Sequence, residues 1–116
     1  MGEMIIIAHG GKDVQDDCLD CLPEEHRGVL AVTPEYALYL VATEEPVVLL
    51  ADKSHKWAIK HAIDRNIPTI VLTSYGEIES AVGAIKRGAY DFATLPINKE
   101  TLRETIQKSL KEKNNE

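Results

Sequence analysis

Short apolar runs alternate along the chain with segments whose apolar residues recur at helical spacing. Residues 4–8, 28–32, 46–51, 67–72 and 90–94 are rich in Ile, Val, Leu and Ala or in aromatic residues. Runs of this length that are apolar at successive positions are typical of strands buried on both faces. Between them, apolar residues recur at i, i+3 and i+4, which is the pattern of a helix with one buried face. The pattern therefore predicts five strands, each followed by a helix.

Caps and breakers mark where the predicted helices begin and end. A helix is expected over residues 12–22 and another over residues 76–87, the latter stopped by Gly88. Thr33 precedes a proline and Ser54 a helical segment, so each is expected to cap a helix. Asn98 is expected to cap the last helix. The apolar face of that helix consists of Leu102, Ile106 and Leu110.

The alternation of strands and helices predicts an α/β fold with a parallel sheet covered on both sides. Right-handed crossovers favour a (βα)5 sandwich with strand order 2-1-3-4-5. In such a sheet a ligand site lies outside the carboxyl ends of strands one and three, where the strand order reverses. We expect one domain over residues 1–116, with a polar tail at 111–116 that frays.

Composition argues against several classes of protein, namely nucleic-acid binders, membrane proteins and secreted proteins. The chain has 116 residues, with 13 Lys and Arg against 19 Asp and Glu, so its formal charge is −6. An acidic surface repels phosphate backbones, which argues against direct nucleic-acid binding. The apolar runs fall far short of the ~20 residues of a membrane span. The two cysteines cannot form a disulfide framework, and the amino end shows no export signal, so we expect a cytoplasmic protein.

The second half of the chain carries a family signature. The segments IPTIVLTSYG at 67–76 and AVGAIKRGAYDFATLP at 81–96 closely resemble the receiver domain of bacterial response regulators. They are most similar to receivers of NtrC-type transcriptional activators, whereas the first half matches mainly in element order. The resemblance implies the CheY-like, flavodoxin-like fold and a role in two-component signal transduction. It also implies a cis bond between Leu95 and Pro96.

The residues at the phosphorylation-site positions depart from the family pattern. In receivers, two acidic residues after strand one hold magnesium, but this chain has Ala8 and His9 there. An aspartate ends strand three and accepts the phosphoryl group; the register we favour places Ala51 at that position, with Asp52 one residue later.

Three further family positions lie in the second half. Thr73 keeps the hydroxyl that hydrogen-bonds the phosphoryl group, and Leu95 replaces the lysine before Pro96. Phe92 takes the place of the aromatic residue that moves on activation, so Thr73 and Phe92 correspond to the switch pair of the family.

The metal acids and the lysine are thus missing together, which predicts a degenerate, phosphorylation-independent receiver. Magnesium prefers oxygen ligands, including carboxylates, and phosphoryl transfer relies on the metal and a cation to neutralise charge. We therefore expect no enzymatic activity and no cofactor, and a role as a regulatory or protein-interaction module, for example controlling a transcriptional effector. As an alternative, Asp52 is a divergent phosphoacceptor in a phosphorelay and uses magnesium.

A second alternative centres on His9. The segment IIIAHGG at 5–11 resembles the first strand of mannose-type phosphocarriers and of cobalt or iron chelatases. A histidine at the carboxyl edge of the sheet could accept a phosphoryl group or ligate a metal.

The resemblance also implies a partner surface. Related receivers dimerise through the fourth helix, fifth strand and fifth helix, so a homodimer or contact with a partner protein or attached effector is expected there. The charged residues expected on this face are Glu77, Lys86, Arg87, Asp91, Arg103 and Glu104.

Two other features have mainly structural interpretations. Cys18, Cys21 and His26 are three potential zinc ligands, but a structural zinc site needs four. We expect one cysteine in the core and one near the surface. Trp57 is the only tryptophan. Packing of its helix on the sheet is its simplest role, and an exposed contact with a partner is the alternative.

Overall fold

A five-stranded parallel sheet forms the centre of the molecule. The computed structural model describes residues 3–114, with the strands in the order β2-β1-β3-β4-β5. The strands are β1 (Glu3–Ala8), β2 (His26–Leu30), β3 (Val48–Asp52), β4 (Thr69–Ser74) and β5 (Asp91–Leu95). The predicted (βα)5 sandwich and its strand order are confirmed.

Five helices cover the two faces of the sheet. They are α1 (Lys12–Asp20), α2 (Pro34–Glu44), α3 (Lys56–Asp64), α4 (Ile78–Lys86) and α5 (Lys99–Asn114). Short 3-10 turns, Lys53–His55 and Tyr75–Glu77, precede α3 and α4. No helix within the described residues is long and apolar enough to cross a bilayer.

Several boundaries differ from the predicted ones. β2 begins two residues earlier because His26 pairs with Glu3 across the sheet. β4 and β5 continue to Ser74 and Leu95, which pair with each other. Helix α1 ends at Asp20, and its carboxyl end closes over β2 at Gly28. A Cβ on Gly28 would lie 2.6 Å from Cδ2 of Leu19, so that side chain would have to shift to admit a larger residue.

Two predicted helix caps are present as hydrogen bonds. The Thr33 hydroxyl accepts from the Tyr36 amide at 3.1 Å, and the Asn98 side-chain oxygen accepts from the Thr101 amide at 3.0 Å. Each bond satisfies an amide that lacks a partner within the helix. The tail expected to fray from Lys111 is helical to Asn114, and the last two residues lie outside the described part of the chain.

The alternation of side chains along the strands divides the core into two layers. Ile6, Leu49 and Val71 pack on the side of α2, α3 and α4. Ile5, Ile7 and Leu50 face the opposite layer beneath α1 and α5, which also contains these residues of the predicted α5 face: Leu102, Ile106 and, partly buried, Leu110. Full burial of one such aliphatic side chain contributes about 1.5–3 kcal/mol to stability.

Four side chains that the sequence singled out can be compared with their expected environments. Cys18 and Cys21 are both buried, so the expectation that one lies near the surface is wrong. Burial raises the pKa of Cys18 to about 12, which keeps this thiol protonated. Nε2 of His26 lies 3.7 Å from a carboxylate oxygen of Glu3. Trp57 does not pack on the sheet, since 59% of its surface is exposed.

The turn after α4 contains a glycine whose backbone conformation can be tested by substitution. Gly88 has φ +119°, and a Cβ there would lie 2.7 Å from Cγ2 of Ile63. Gly88→Ala is expected to lower the free energy of unfolding in urea by about 1–3 kcal/mol through backbone strain and this clash. Gly76→Ala is the matched control, because nothing lies within 4 Å of a Cβ at that position. Equal unfolding midpoints for the two variants would contradict this account.

Candidate functional site at the carboxyl edge of the sheet

The carboxyl ends of parallel strands meet at one edge of the sheet. Ala8 of β1 pairs with Ala51 of β3. The residues that follow them, His9 and Asp52, therefore lie side by side at this edge. Thr73 lies near the end of the neighbouring β4. The reversal of strand order between β1 and β3 opens the sheet here, which is the usual location of a ligand site in this architecture.

Strand β3 ends one residue later than predicted, at Asp52. Ala51 is fully buried and packs with Ala8 in the core, so neither side chain reaches solvent. Asp52 keeps an extended backbone and pairs with Leu72 of β4, which explains why the strand includes it. The aspartate, and not Ala51, therefore terminates the third strand.

The Asp52 carboxylate caps the 3-10 turn that follows it. Its Oδ1 accepts hydrogen bonds from the Ser54 amide, at 2.7 Å, and from the Ser54 hydroxyl. The expectation that Ser54 caps the third helix is wrong, because Ser54 donates to the cap instead of forming it. Asp52 is therefore the cap residue of this turn.

His9 is held in one orientation by its own loop. Its Nδ1 accepts from the Gly11 amide at 2.9 Å, and its carbonyl accepts from the Gln15 side chain at 2.6 Å. Because Nδ1 is the acceptor, the neutral ring carries its proton on Nε2. That atom lies 3.8 Å from Oδ2 of Asp52. The edge thus pairs an imidazole with a carboxylate where receivers place several acids.

His55 is a site residue that sequence reasoning missed. It is 2% exposed, and its Nδ1 has no hydrogen-bond partner within the described residues. Burial lowers the His55 pKa; the Asp52 carboxylate opposes this shift, and His9 adds to it. The signal was present in the sequence, since Ala58 and Ile59 follow at i+3 and i+4 and place His55 on the buried face of the helical segment.

The predicted switch pair lies on the side of the sheet facing α4. The Thr73 hydroxyl is buried, 3.2 Å from the Glu77 carbonyl and 3.3 Å from the Ser74 carbonyl. Phe92 pairs with Val71 across the ladder and packs, half-buried, against the same core layer. The side chains of Val71 and Thr73 share a face because they are two residues apart on one strand.

Leu95, the last residue of β5, places an apolar side chain at the carboxyl edge of the sheet. It is partly buried and packs against the layer that contains Leu102. The Leu95–Pro96 bond is cis, as predicted. The position at which receivers carry a lysine therefore presents no charge in this chain.

A surface ion pair links the loops that follow β3 and β4. The Lys53 ammonium donates to a carboxylate oxygen of Glu77, and the Ser74 hydroxyl donates to the other at 3.1 Å. These hydrogen bonds, the Lys53 bond foremost, lower the pKa of the Glu77 carboxyl group. The cation nearest in sequence to Asp52 is thus paired with another carboxylate. No group of three or more His, Cys, Asp and Glu in residues 3–114 is arranged to hold a metal ion.

The charged residues expected on the partner surface have several different neighbours. Glu77 turns toward Lys53, and Arg103 donates to the Asp20 carbonyl of α1 at 3.1 Å. The remaining members of the set are exposed or half-buried along α4, β5 and α5: Lys86, Arg87, Asp91 and Glu104. Intramolecular contacts therefore direct two of the six residues elsewhere.

Comparisons of sequence find bacterial transcriptional regulators. The chain is 32% identical over 83 residues to the regulatory protein AtoC of Escherichia coli, covering 64% of this chain and 18% of AtoC. It is 43% identical over 44 residues to the nitrogen assimilation regulatory protein NtrX of Azorhizobium caulinodans, covering 38% of this chain and 10% of NtrX. The matches thus span less than a fifth of these longer proteins. No protein-family model matches the chain.

Comparisons of structure extend over nearly the whole chain. The receiver domain of a response regulator from Bacteroides fragilis is 27% identical, with a TM-score of 0.77 over 95% of this chain and 98% of that one. The chain therefore has the CheY-like fold of the receiver domains of response regulators and is similar to them in sequence. The receiver domain of AraT from Geobacillus stearothermophilus has the same fold, with a TM-score of 0.86, 24% identity and coverage of 99% and 98%.

The likeness to receiver domains gives a context for this edge, because receiver domains of response regulators are signalling modules. In this chain Asp52 ends the third strand, with Nε2 of His9 3.8 Å from its Oδ2. Leu95 ends β5 with an apolar side chain.

Buried His55 is expected to make the stability of the folded chain depend on pH. Its pKa is lowered in the folded state, so between the folded value and the ordinary value of about 6.5 the unfolded chain binds more protons. The contribution is fully present above pH ~6.5 and is lost as the pH falls, by at most about 1.4 kcal/mol per pH unit for one proton.

The measurement is urea unfolding of the wild type and His55→Gln between neutral pH and pH 5. The variant is expected to lose less stability over this interval, and a comparison at pH 8 separates any packing defect from the titration. Parallel pH profiles for the two proteins would contradict a role for His55.

Proposed function

We propose that this receiver is a phosphorylation-independent regulatory module that acts through a protein partner or an attached effector. The observation that carries the proposal is the environment of Asp52. Its carboxylate is engaged by Ser54 and faces the His9 imidazole, while Ala8 is buried and Leu95 is apolar. The names of the relatives make transcription the best candidate for the controlled process, and such regulation would take place in the cytoplasm.

The physical argument concerns charge. A magnesium ion prefers near-octahedral oxygen coordination, with one or two carboxylates supplied by the protein. Phosphoryl transfer also requires that the charge developing on the phosphoryl oxygens be neutralised by metal and cations. Asp52 alone offers one carboxylate, and Lys53 is already paired with Glu77. The edge therefore lacks the groups that would hold the metal and stabilise an aspartyl phosphate.

A second candidate function is a divergent phosphoacceptor receiver. The specific observation in its favour is that β3 ends at Asp52, the position of the family's acceptor, with Thr73 nearby at the end of β4. In this case Asp52 would accept the phosphoryl group with the aid of magnesium, and His9 would stand beside it. A His9-based carrier is a third reading, in which the Nε2 atom that faces Asp52 would be the reactive one.

A two-step NMR titration discriminates among these candidates. Amide spectra are recorded with magnesium and then with beryllofluoride, a mimic of the phosphoryl group. We expect no saturable shifts around Asp52, Thr73 and Phe92, because the metal site is incomplete. Saturating shifts there that disappear in Asp52→Asn would overturn the proposal and establish the phosphoacceptor. Shifts centred on His9 and Gly10 alone would favour the carrier.

The positive control rebuilds the missing charges in the same chain. The variant Ala8→Asp, His9→Asp and Leu95→Lys restores the residue types that receivers carry at these positions. It is expected to respond to magnesium and beryllofluoride, provided that its spectrum shows the native fold. If the rebuilt variant and the wild type gave the same shifts, the missing residues would not explain why the wild type does not respond to magnesium and beryllofluoride.

We further propose that the surface of α4, β5 and α5 contacts a second copy or a partner protein. The support is the family resemblance and the exposed charges that remain along these elements, with Lys86 at the end of α4. In sedimentation velocity over a wide concentration range, Lys86→Glu is expected to weaken self-association relative to the wild type. Lys12→Glu, an equal charge change at an exposed position of α1 outside this surface, is the control. A monomer at all concentrations would exclude the homodimer.

A further inference from the structure

A cleft between α3 and α4 is the feature that the proposed function leaves unexplained. Its volume is about 600 Å³, within the range of small-molecule sites. Apolar side chains from both helices and from β4 line its interior: Ile59, Ile63, Val71 and Ala84. The cleft is therefore an apolar recess on the flank of the molecule, large enough for one small ligand.

The rim of this cleft is basic although the chain as a whole carries a formal charge of −6. Lys53, Lys56, Lys60 and Arg87 line it, against the single carboxylate of Asp64. The electrostatic potential at the rim is therefore positive, whereas the remaining, acidic surface repels anions. The cleft is thus complementary to a compact anion.

Ion pairing leaves two of these cations available. Lys60 pairs with Asp64 at 3.0 Å, and Lys53 pairs with Glu77. Within residues 3–114, neither Lys56 nor Arg87 has a carboxylate partner. A phosphate bound between them would gain charge-assisted hydrogen bonds without breaking an existing ion pair.

Trp57 provides the second recognition element. Its ring lines the cleft and is 59% exposed, an unusual environment for the largest apolar side chain of the chain. The Lys56 ammonium lies 5.6 Å from the ring centroid, so a cation and an aromatic face stand together at the rim. Indole faces stack on planar rings, and nucleobases stack on exposed aromatic side chains whatever their sequence.

We propose that this cleft binds a free nucleotide, with the base against Trp57 and the phosphate between Lys56 and Arg87. The combination of an exposed indole, an apolar interior and unpaired cations fits a ligand that is planar at one end and anionic at the other. A longer nucleic-acid strand fits less well, because beyond the cleft it would meet the acidic remainder of the surface. The inference does not depend on phosphorylation, although a nucleotide would provide the input that the proposed function requires.

Tryptophan fluorescence tests the proposal directly, because Trp57 is the only tryptophan in the chain. AMP, GMP and ADP are titrated into the full chain, with adenosine, inorganic phosphate and a ten-residue oligothymidylate as comparison probes. At least one nucleotide is expected to quench the emission saturably, and more tightly than adenosine or phosphate. Tighter binding of the oligonucleotide than of every nucleotide would overturn the choice of a free nucleotide.

Variants locate the binding site. Lys56→Gln and Arg87→Gln are each expected to weaken nucleotide binding about 3–10-fold, as loss of one exposed charge-assisted contact implies. Lys108→Gln, which removes an exposed lysine on α5, is the matched control and is expected to bind like the wild type. Calorimetry with Trp57→Ala, which lacks the fluorescent reporter, is expected to show weaker binding, whereas Tyr39→Ala, at an equally exposed aromatic position, is not.

The results that would overturn the nucleotide site differ from those that would overturn the proposed function in the magnesium and beryllofluoride titration. Absence of saturable quenching by all three nucleotides at millimolar concentration would overturn the nucleotide site and leave the proposed function untouched. Equal weakening by Lys56→Gln and Lys108→Gln would show attraction to overall charge instead of a site. Magnesium and beryllofluoride take no part in these titrations, so a phosphoacceptor result at Asp52 would not affect them.

Discussion

The parallel pairing of β1 with β3 is the constraint on which the rest of the structure depends. It brings Ala8 and Ala51 together in the core and thereby sets His9 and Asp52 side by side at the edge. Because side chains alternate along a strand, a shift of one residue in this ladder would exchange the buried alanines for the polar pair. The same register determines both what the core buries and which groups the edge can present.

The edge brings one carboxylate together with two histidines. Asp52 holds the start of the turn before α3, His9 is fixed by its loop, and His55 lies buried behind them. The Asp52 carboxylate accepts hydrogen bonds from Ser54 and lies 3.8 Å from the His9 ring, so its immediate neighbours within the described residues are hydrogen-bond donors and an imidazole.

The short turn between β3 and α3 connects this edge to the cleft on the flank. Lys53 follows Asp52 and lines the cleft, while its ammonium bonds to Glu77 at the start of α4. A ligand between α3 and α4 would therefore lie against the residues that follow both site strands. This continuity is a physical route by which occupancy of the cleft could alter the edge, if the two helices adopt more than one arrangement.

The sequence by itself determined the order of elements, the sheet topology, the helix caps at Thr33 and Asn98 and the resemblance to receiver domains, because these follow from local patterning and from chain connectivity. It also placed Thr73, Phe92 and Leu95 on the right strands. Strand ends, the burial of both cysteines and the exposure of Trp57 were decided only by the tertiary structure. Ladder partners distant in sequence determine where a strand stops, and the gap between two helices determines whether an apolar side chain finds a neighbour. For the same reason the pairing of His9 with Asp52 and the basic cleft became visible only when the strands and helices were in place.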